Sequence, residues 1–96
     1  MKGYTYILTT DKNTVLYTGV TSDLKGRIKK HEENIYSNSF TSRYNVKKLV
    51  YFEIFESMEL AIKKEKQIKS GSRKKKVELV YRMNPEWKDL SDLLQA

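Results

Sequence analysis

The sequence of 96 residues contains no cysteine, one proline, one histidine and four glycines. Without cysteine, the chain can form neither a disulfide bond nor a thiolate metal site. It also lacks any run of about 18 to 20 apolar residues and the apolar core of an export signal. The sequence therefore predicts no spanning helix, and we expect a protein of the cytoplasm without a membrane partner.

Acidic residues are scarce relative to basic ones. The 19 Lys and Arg outnumber the 12 Asp and Glu, which gives a net charge of +7 and an isoelectric point near 9.6. This excess on so short a chain indicates a polyanionic partner, of which nucleic acid is the commonest. Solvated surface lysines explain the same composition, so charge alone leaves both interpretations open. The length and the 39% hydrophobic content suit one small domain, residues 1–96, with one modest core.

Three segments carry the β-branched and aromatic residues that are typical of strands. Residues 4–10 and 15–20 flank the turn-forming sequence DKNT, which predicts an antiparallel hairpin. Residues 49–55, with the sequence LVYFEIF, predict a third strand, and the polar residues 36–48 before it predict a long loop. With the helices below, these strands predict an α+β fold of order β-β-α-β-α-α followed by a short C-terminal helix.

Capping side chains mark the start of each predicted helix. The first helix follows Thr21 or Ser22, the second follows Ser57 and ends at Ser70-Gly71, and the third begins near Ser72. Helical spacing predicts that several apolar side chains face inward: Leu24, Ile28 and Ile35 in the first helix, Val77, Val80 and Tyr81 in the third, and Trp87, Leu90, Leu93 and Leu94 in the last.

Polar residues interrupt the inner faces of two predicted helices. In the second helix, residues 58, 61, 62, 65 and 68 share one face, and Glu65 lies in the middle of this otherwise apolar stripe. In the first helix, Arg27 and His31 lie on the inward stripe. Glu65 either faces the core or a cleft, where it needs a cation, a metal or a hydrogen-bond donor, or reaches water at the sheet edge.

The residue types on these faces suit phosphodiester hydrolysis. A carboxylate such as Glu65 can hold a hard cation such as Mg²⁺, which keeps several waters for a substrate to displace. Arg27 offers a permanently charged, forked donor for a phosphate, and a Tyr or His can activate water. Only one candidate metal carboxylate lies on the two faces, so the pattern does not support a two-metal scheme.

The motifs resemble those of the GIY-YIG nuclease domain in its small stand-alone form. The sequences YTY at residues 4–6 and YTG at residues 17–19 occupy the two half-motifs, and TSDLKGRIKKH follows the second at the family's spacing. The segment AIKKEKQIKSGSRKKK is similar to the metal-binding helix of the family. Three residues depart from the family pattern at positions that affect packing more than chemistry: Tyr4, Thr5 and Thr18.

The resemblance implies a small three-stranded antiparallel sheet flanked by helices, and metal-dependent cleavage of nucleic acid, with DNA repair as a setting. By position in the motifs, Glu65 would bind one divalent cation, Mg²⁺ or Mn²⁺, and Arg27 would hold the phosphate. Tyr6 and Tyr17 would position or deprotonate the attacking water, and His31 would support or share that role. Gly19 would let the backbone or a substrate approach closely.

A basic surface accompanies these residues. The residues expected to contact nucleic acid are Arg43, Lys69, Arg73, Lys74, Lys75 and Lys76, together with the aromatic residues Phe40 and Tyr44. No base-reading element is evident, so we expect recognition of shape or single-stranded character rather than sequence, in DNA more than in RNA. The competing hypotheses are a non-catalytic nucleic-acid-binding module and, with Trp87 and Leu90 as the contact, an adaptor. A protein partner for targeting is a further expectation.

Overall fold

The computed structural model describes residues 1–33 and 43–94. The predicted α+β order is confirmed, and the three strands form one antiparallel sheet in the order β2-β1-β3. The elements are β1 (Gly3–Thr9), β2 (Leu16–Thr21), α1 (Leu24–Glu32), β3 (Lys48–Phe55), α2 (Met58–Lys69), α3 (Arg73–Met83) and a terminal 3₁₀ helix (Leu90–Leu94). The predictions for Ile35, Phe40 and the loop at residues 36–42 lie outside the described residues.

The central strand β1 divides the core into two sides because successive side chains point to opposite faces of a sheet. Tyr6 and Leu8 pack against the inward residues of α1. Thr5 and Ile7 face the other way, where Ile7 joins the apolar cluster of α2 and α3 and Thr5 donates a hydrogen bond of 2.7 Å to the Ala61 carbonyl. We call these sides the α1 face and the α2–α3 face.

The helix starts follow capping residues, with one correction. Ser57 and Ser72 cap α2 and α3 as predicted, each accepting a backbone N–H of the first turn at 3.2 Å. The first helix is capped by Asp23, so the prediction of Thr21 or Ser22 is wrong. Asp23 accepts the Gly26 N–H, and Thr21 instead accepts the N–H of Asp23 at 3.1 Å in the turn before the helix.

Three predicted inward residues are exposed, and one of them is Ile62 of α2, at 37%. In α3, Val80 is buried and Leu79 packs beside it, whereas Tyr81 is 62% exposed. Leu79 faces the side of α2, and Tyr81 lies roughly 200° around the helix from it, so the two cannot both be buried. In the terminal 3₁₀ helix, Leu90 and Leu94 pack against the α1 face, but Leu93 is 65% exposed because one short turn buries only part of its circumference.

The C-terminal segment covers part of the outer edge of β3. Asn84 donates to the Val50 carbonyl at 3.2 Å, and Asp89 accepts the Leu49 N–H at 3.3 Å. The one proline follows Asn84, which ends α3. Across the ranges 1–33 and 43–94, no helix is long and apolar enough to cross a membrane.

Candidate active site

The ring of Tyr6 lies against Gly19 of the neighbouring strand β2. The two residues are direct partners in the β1–β2 register, and Tyr6 is fully buried. A Cβ atom added at Gly19 would stand 2.5 Å from both Cζ and Oη of the Tyr6 ring. The close approach expected at Gly19 is therefore made by Tyr6 of the same chain. The phenol can lie there because Gly19 has no side chain.

Tyr6, Tyr17 and His31 form a cluster of three rings on the α1 face. The ring centroids are 6.5 Å apart for the two tyrosines, 6.4 Å for Tyr6 and His31, and 6.0 Å for Tyr17 and His31. Interplanar angles between 46° and 62° give tilted and edge-on contacts, the arrangements that aromatic pairs prefer. Two strands and one helix thus bring three groups capable of proton transfer to one place.

Arg27 acts electrostatically on this cluster. It lies one helical turn before His31 on α1, and both face the sheet side of the helix. Burial, and to a lesser degree the positive charge of Arg27, lower the pKa of His31 below its usual value of 6.5. At neutral pH the imidazole is therefore uncharged, which is the form that can accept a proton.

Glu65 lies on α2, over the opposite face of the sheet from the three rings. Its side chain is 14% exposed, and its Oε2 atom forms an ion pair of 3.0 Å with Nζ of Lys69 one turn later. The sequence left open whether Glu65 faces a cleft or reaches water; it is largely buried, and Lys69 supplies the cation that such a carboxylate needs. Lys69 is itself 53% exposed.

The direction in which Glu65 points follows from helix geometry. Lys64, Gln67 and Gly71 line the side of α2 that faces α3. At about 100° per residue, Glu65 and Lys69 lie roughly 130° to 170° around the helix from that side. Because α3 packs over β3 and α2 packs mainly over β1 and β2, Glu65 faces the β2 side. Tyr17 and Gly19 belong to this edge strand, although they lie on its other face.

The donor chemistry of Glu65 fits a hard divalent cation. Mg²⁺ is commonly held by one or two carboxylates and completes its shell with water and substrate phosphates. In the described part of the chain, no group of three or more His, Asp and Glu side chains could hold a metal by itself. A metal at Glu65 would thus keep several ligands from outside the protein, and it would replace the Lys69 ammonium at the carboxylate.

Comparison with known proteins identifies the family. Residues 2–78 match the GIY-YIG catalytic domain. The chain belongs to the GIY-YIG family. It is a family of nucleases, which are generally dependent on divalent metals. In this GIY-YIG chain, the first half-motif lies on β1 with Tyr6 and the second lies on β2 with Tyr17.

Small GIY-YIG relatives span most of this chain. A UPF0213 protein of Syntrophus aciditrophicus is 38% identical over 85 residues, which cover 88% of this chain and 95% of the relative. One from Clostridium perfringens is 42% identical over 77 residues, covering 80% and 81%. The solution NMR structure of a UPF0213 protein from Bacillus halodurans has 33% identity and a TM-score of 0.59, with 97% of both chains covered.

One of the residues at which this GIY-YIG chain departs from the family pattern, Thr5, has a structural role, and so does Asn84. Thr5, in place of the first isoleucine, holds the Ala61 carbonyl of α2 against β1. Since an α-helical carbonyl also accepts from the residue four positions later, this bond anchors the turn that carries Glu65. The sequence pattern did not single out this role of Thr5. Asn84 is buried among backbone partners at Val50 and Lys88, which favours a structural role.

The predicted nucleic-acid residues occupy different surfaces. Arg43 is exposed before β3, and Lys69 pairs with Glu65. Arg73 donates from Nη2 to the Asn13 carbonyl of the hairpin turn at 3.1 Å. The three remaining residues lie in the first turn of α3, with two exposed and the last partly buried: Lys74, Lys75 and Lys76.

Proposed function

We propose that this protein is an endonuclease that hydrolyses nucleic-acid phosphodiester bonds with one divalent cation, Mg²⁺ or Mn²⁺. The proposed substrate is DNA more than RNA, recognised by its shape. The observation that carries the proposal is the cluster of Tyr6, Tyr17 and His31 with Arg27 beside it, built from the two half-motifs of a nuclease family. Membership of that family alone supports no particular substrate or metal.

His31 is the proposed proton acceptor for the attacking water. An ordinary tyrosine titrates near 10, whereas His31 is neutral at pH 7 because of its burial and of Arg27. Tyr6 and Tyr17, whose ring centroids lie 6.4 Å and 6.0 Å from that of the imidazole, would orient it and the water. The guanidinium of Arg27 would hold the scissile phosphate, since its forked donors match two phosphate oxygens.

Glu65 is the proposed metal ligand. A divalent cation at this carboxylate supplies charge stabilisation for the phosphate and the leaving oxygen. The carboxylate and the three rings lie on opposite faces of the sheet, and both lie beside the edge strand β2, because Tyr17 belongs to this strand and α2 packs against it. A phosphodiester lying across this edge would therefore reach both groups. Lys69, released from Glu65, would be available to a neighbouring phosphate, and a protein partner would provide targeting.

The test is cleavage of labelled single-stranded, duplex, flapped and branched DNA and RNA, with and without Mg²⁺ or Mn²⁺. We expect metal-dependent cleavage that is lost in Glu65→Gln. Glu59→Gln is the matched control, because Glu59 lies on the same helix and is exposed. Loss of cleavage in Glu65→Gln, with cleavage retained in Glu59→Gln, supports the metal role of Glu65.

Two results would contradict the proposal. Full cleavage by Glu65→Gln would remove the metal role of that residue. Binding of the panel without cleavage of any member, with either metal, would favour the non-catalytic binding module.

A further inference from the structure

A groove separates α2 from α3 on the side of α2 that faces away from Glu65. Its volume is about 300 Å³, and Ile68 and Leu79 provide an apolar floor. Ile68 is buried and Leu79 is partly buried, so both keep their positions through packing in the core. A groove of this size is at the lower limit of ligand sites and holds one base with its phosphate, but not both strands of a duplex.

The rim of the groove is strongly positive. Lys64, Lys75, Lys76 and Arg82 line it, with Glu78 as the one carboxylate of the lining. Within residues 1–33 and 43–94, the salt bridges are those of Lys69 with Glu65 and of Lys88 with Glu86, so no salt bridge neutralises the four rim cations. An anion that enters the groove therefore meets a net positive charge on two helices, from four cations against one carboxylate.

The free protein is destabilised by part of this charge. Lys75 and Lys76 lie in the first turn of α3, which contains no acidic residue. The helix dipole favours anions at this end, so cations there are unfavourable until an anion is bound. The charges that oppose helix formation are the same charges that line the groove.

We propose that this groove, formed by Ile68 and Leu79 below a rim of Lys64, Lys75, Lys76 and Arg82, binds one nucleotide of an unpaired nucleic-acid strand. The base packs on the apolar floor, and its flanking phosphates contact the rim. The choice of nucleic acid as the polyanion rests on the proposed function. The groove is separate from the candidate active site, because Glu65 and Lys69 lie on the other side of α2. A strand bound in the groove would therefore lie outside the proposed position of cleavage.

The experiment measures binding of a fluorescent single-stranded oligonucleotide in EDTA, which keeps the result independent of cleavage. The variant Lys75→Glu/Arg82→Glu should bind at least tenfold more weakly and show a reduced salt dependence. The control Lys2→Glu/Lys30→Glu has the same change of charge at two exposed residues, one before β1 and one on α1, across the sheet from the groove, and should lose less than threefold. The melting temperature should change little, because a carboxylate at position 75 suits the helix dipole whereas one at position 82, in the last turn, opposes it.

A second arm tests the apolar floor and the choice of ligand. An oligonucleotide that carries abasic positions should bind the unmodified protein several-fold more weakly than its parent, and a duplex of equal length should compete poorly. Equal losses in the two charge variants would overturn the proposal, as would equal binding of the abasic strand. Polyglutamate that competes as well as the oligonucleotide would also overturn it, since the groove would then be a general anion surface.

Discussion

The two faces of the sheet bury different kinds of side chain. The α2–α3 face is filled mainly by aliphatic residues such as Ile7, Val50, Ile68 and Val80. The α1 face also contains aliphatic residues, but the phenol of Tyr6 and the imidazole of His31 are buried among them. The α2–α3 face thus contributes mainly apolar packing, whereas the α1 face also positions groups that can transfer protons.

The two faces also differ in the charged and titratable groups near them. On the α2–α3 side, charged residues border the core at the groove rim, and the largely buried Glu65 is paired with Lys69. On the α1 side, burial lowers the pKa of His31, which lies within the core. On the other side, burial and a hydrogen bond to Glu53 raise the pKa of the buried Tyr51, which therefore stays protonated. Substitutions on the α1 face should therefore change the reactive rings directly, whereas those on the other face should act through stability or through Glu65 and its helix.

The largest effect is expected from Gly19→Ala. The added Cβ would stand 2.5 Å from the Tyr6 ring, whereas carbon atoms in contact are about 3.5 to 4.0 Å apart, so the ring must move by about 1 Å. We expect a loss of about 1 to 3 kcal/mol in the free energy of unfolding. Cleavage should be lost in conditions where the variant remains folded. Urea unfolding and the cleavage assay measure the two effects.

Val20→Ala is the control for the Gly19 variant. Val20 is the next residue of β2, is partly buried and points to the opposite face of the sheet. It should lower stability without a selective loss of cleavage. Full activity of Gly19→Ala would mean that the position of Tyr6 does not matter for the reaction.

A smaller effect is expected from Thr5→Val, on the α2–α3 face. The substitution keeps the shape of the side chain but removes the buried hydrogen bond of 2.7 Å to the Ala61 carbonyl. We expect a loss of about 1 kcal/mol in the free energy of unfolding. Cleavage should also fall, because the bond anchors the turn of α2 that carries Glu65.

Thr9→Val provides the comparison for the Thr5 variant. Thr9 donates a hydrogen bond of equal length, 2.7 Å, to the Val15 carbonyl within the hairpin. Its loss should lower stability by a similar amount but leave the position of α2 unchanged. If the two variants cleave equally well, Thr5 has no special role in placing Glu65.

The smallest effect is expected from pH. The pKa of His31 is lowered in the folded state, so below pH 6.5 the unfolded chain takes up a proton more readily than the folded protein. Stability should fall as the pH decreases from 6.5 towards the lowered pKa, and His31 should contribute no change above that window. His31 is the one histidine of the chain, which makes His31→Gln a direct control. Urea midpoints at pH 7.5 and 5.5 that move equally in both proteins would contradict this assignment.

The sequence by itself determined the order and type of the elements. Caps such as Ser57 and Ser72, the turn between the first two strands, and the repeat of apolar residues act within a few residues, so they can be identified from neighbours in the chain. The same patterns identified Arg27, His31 and Glu65 as polar residues on inner faces. The family motifs then related these residues to one another.

The tertiary structure decided how the elements face each other. Asp23 rather than Thr21 or Ser22 caps α1, and Leu79 rather than Tyr81 packs inward in α3, because the geometry of the preceding turn and of the neighbouring helix selects among similar local options. It also placed Glu65 on the opposite face from the three rings. Basic residues that are close together in the sequence lie at different sites in the structure. Arg73 contacts the hairpin turn, Lys69 pairs with Glu65, and Lys75 and Lys76 line the groove. The reason is that a helix distributes adjacent residues around its axis.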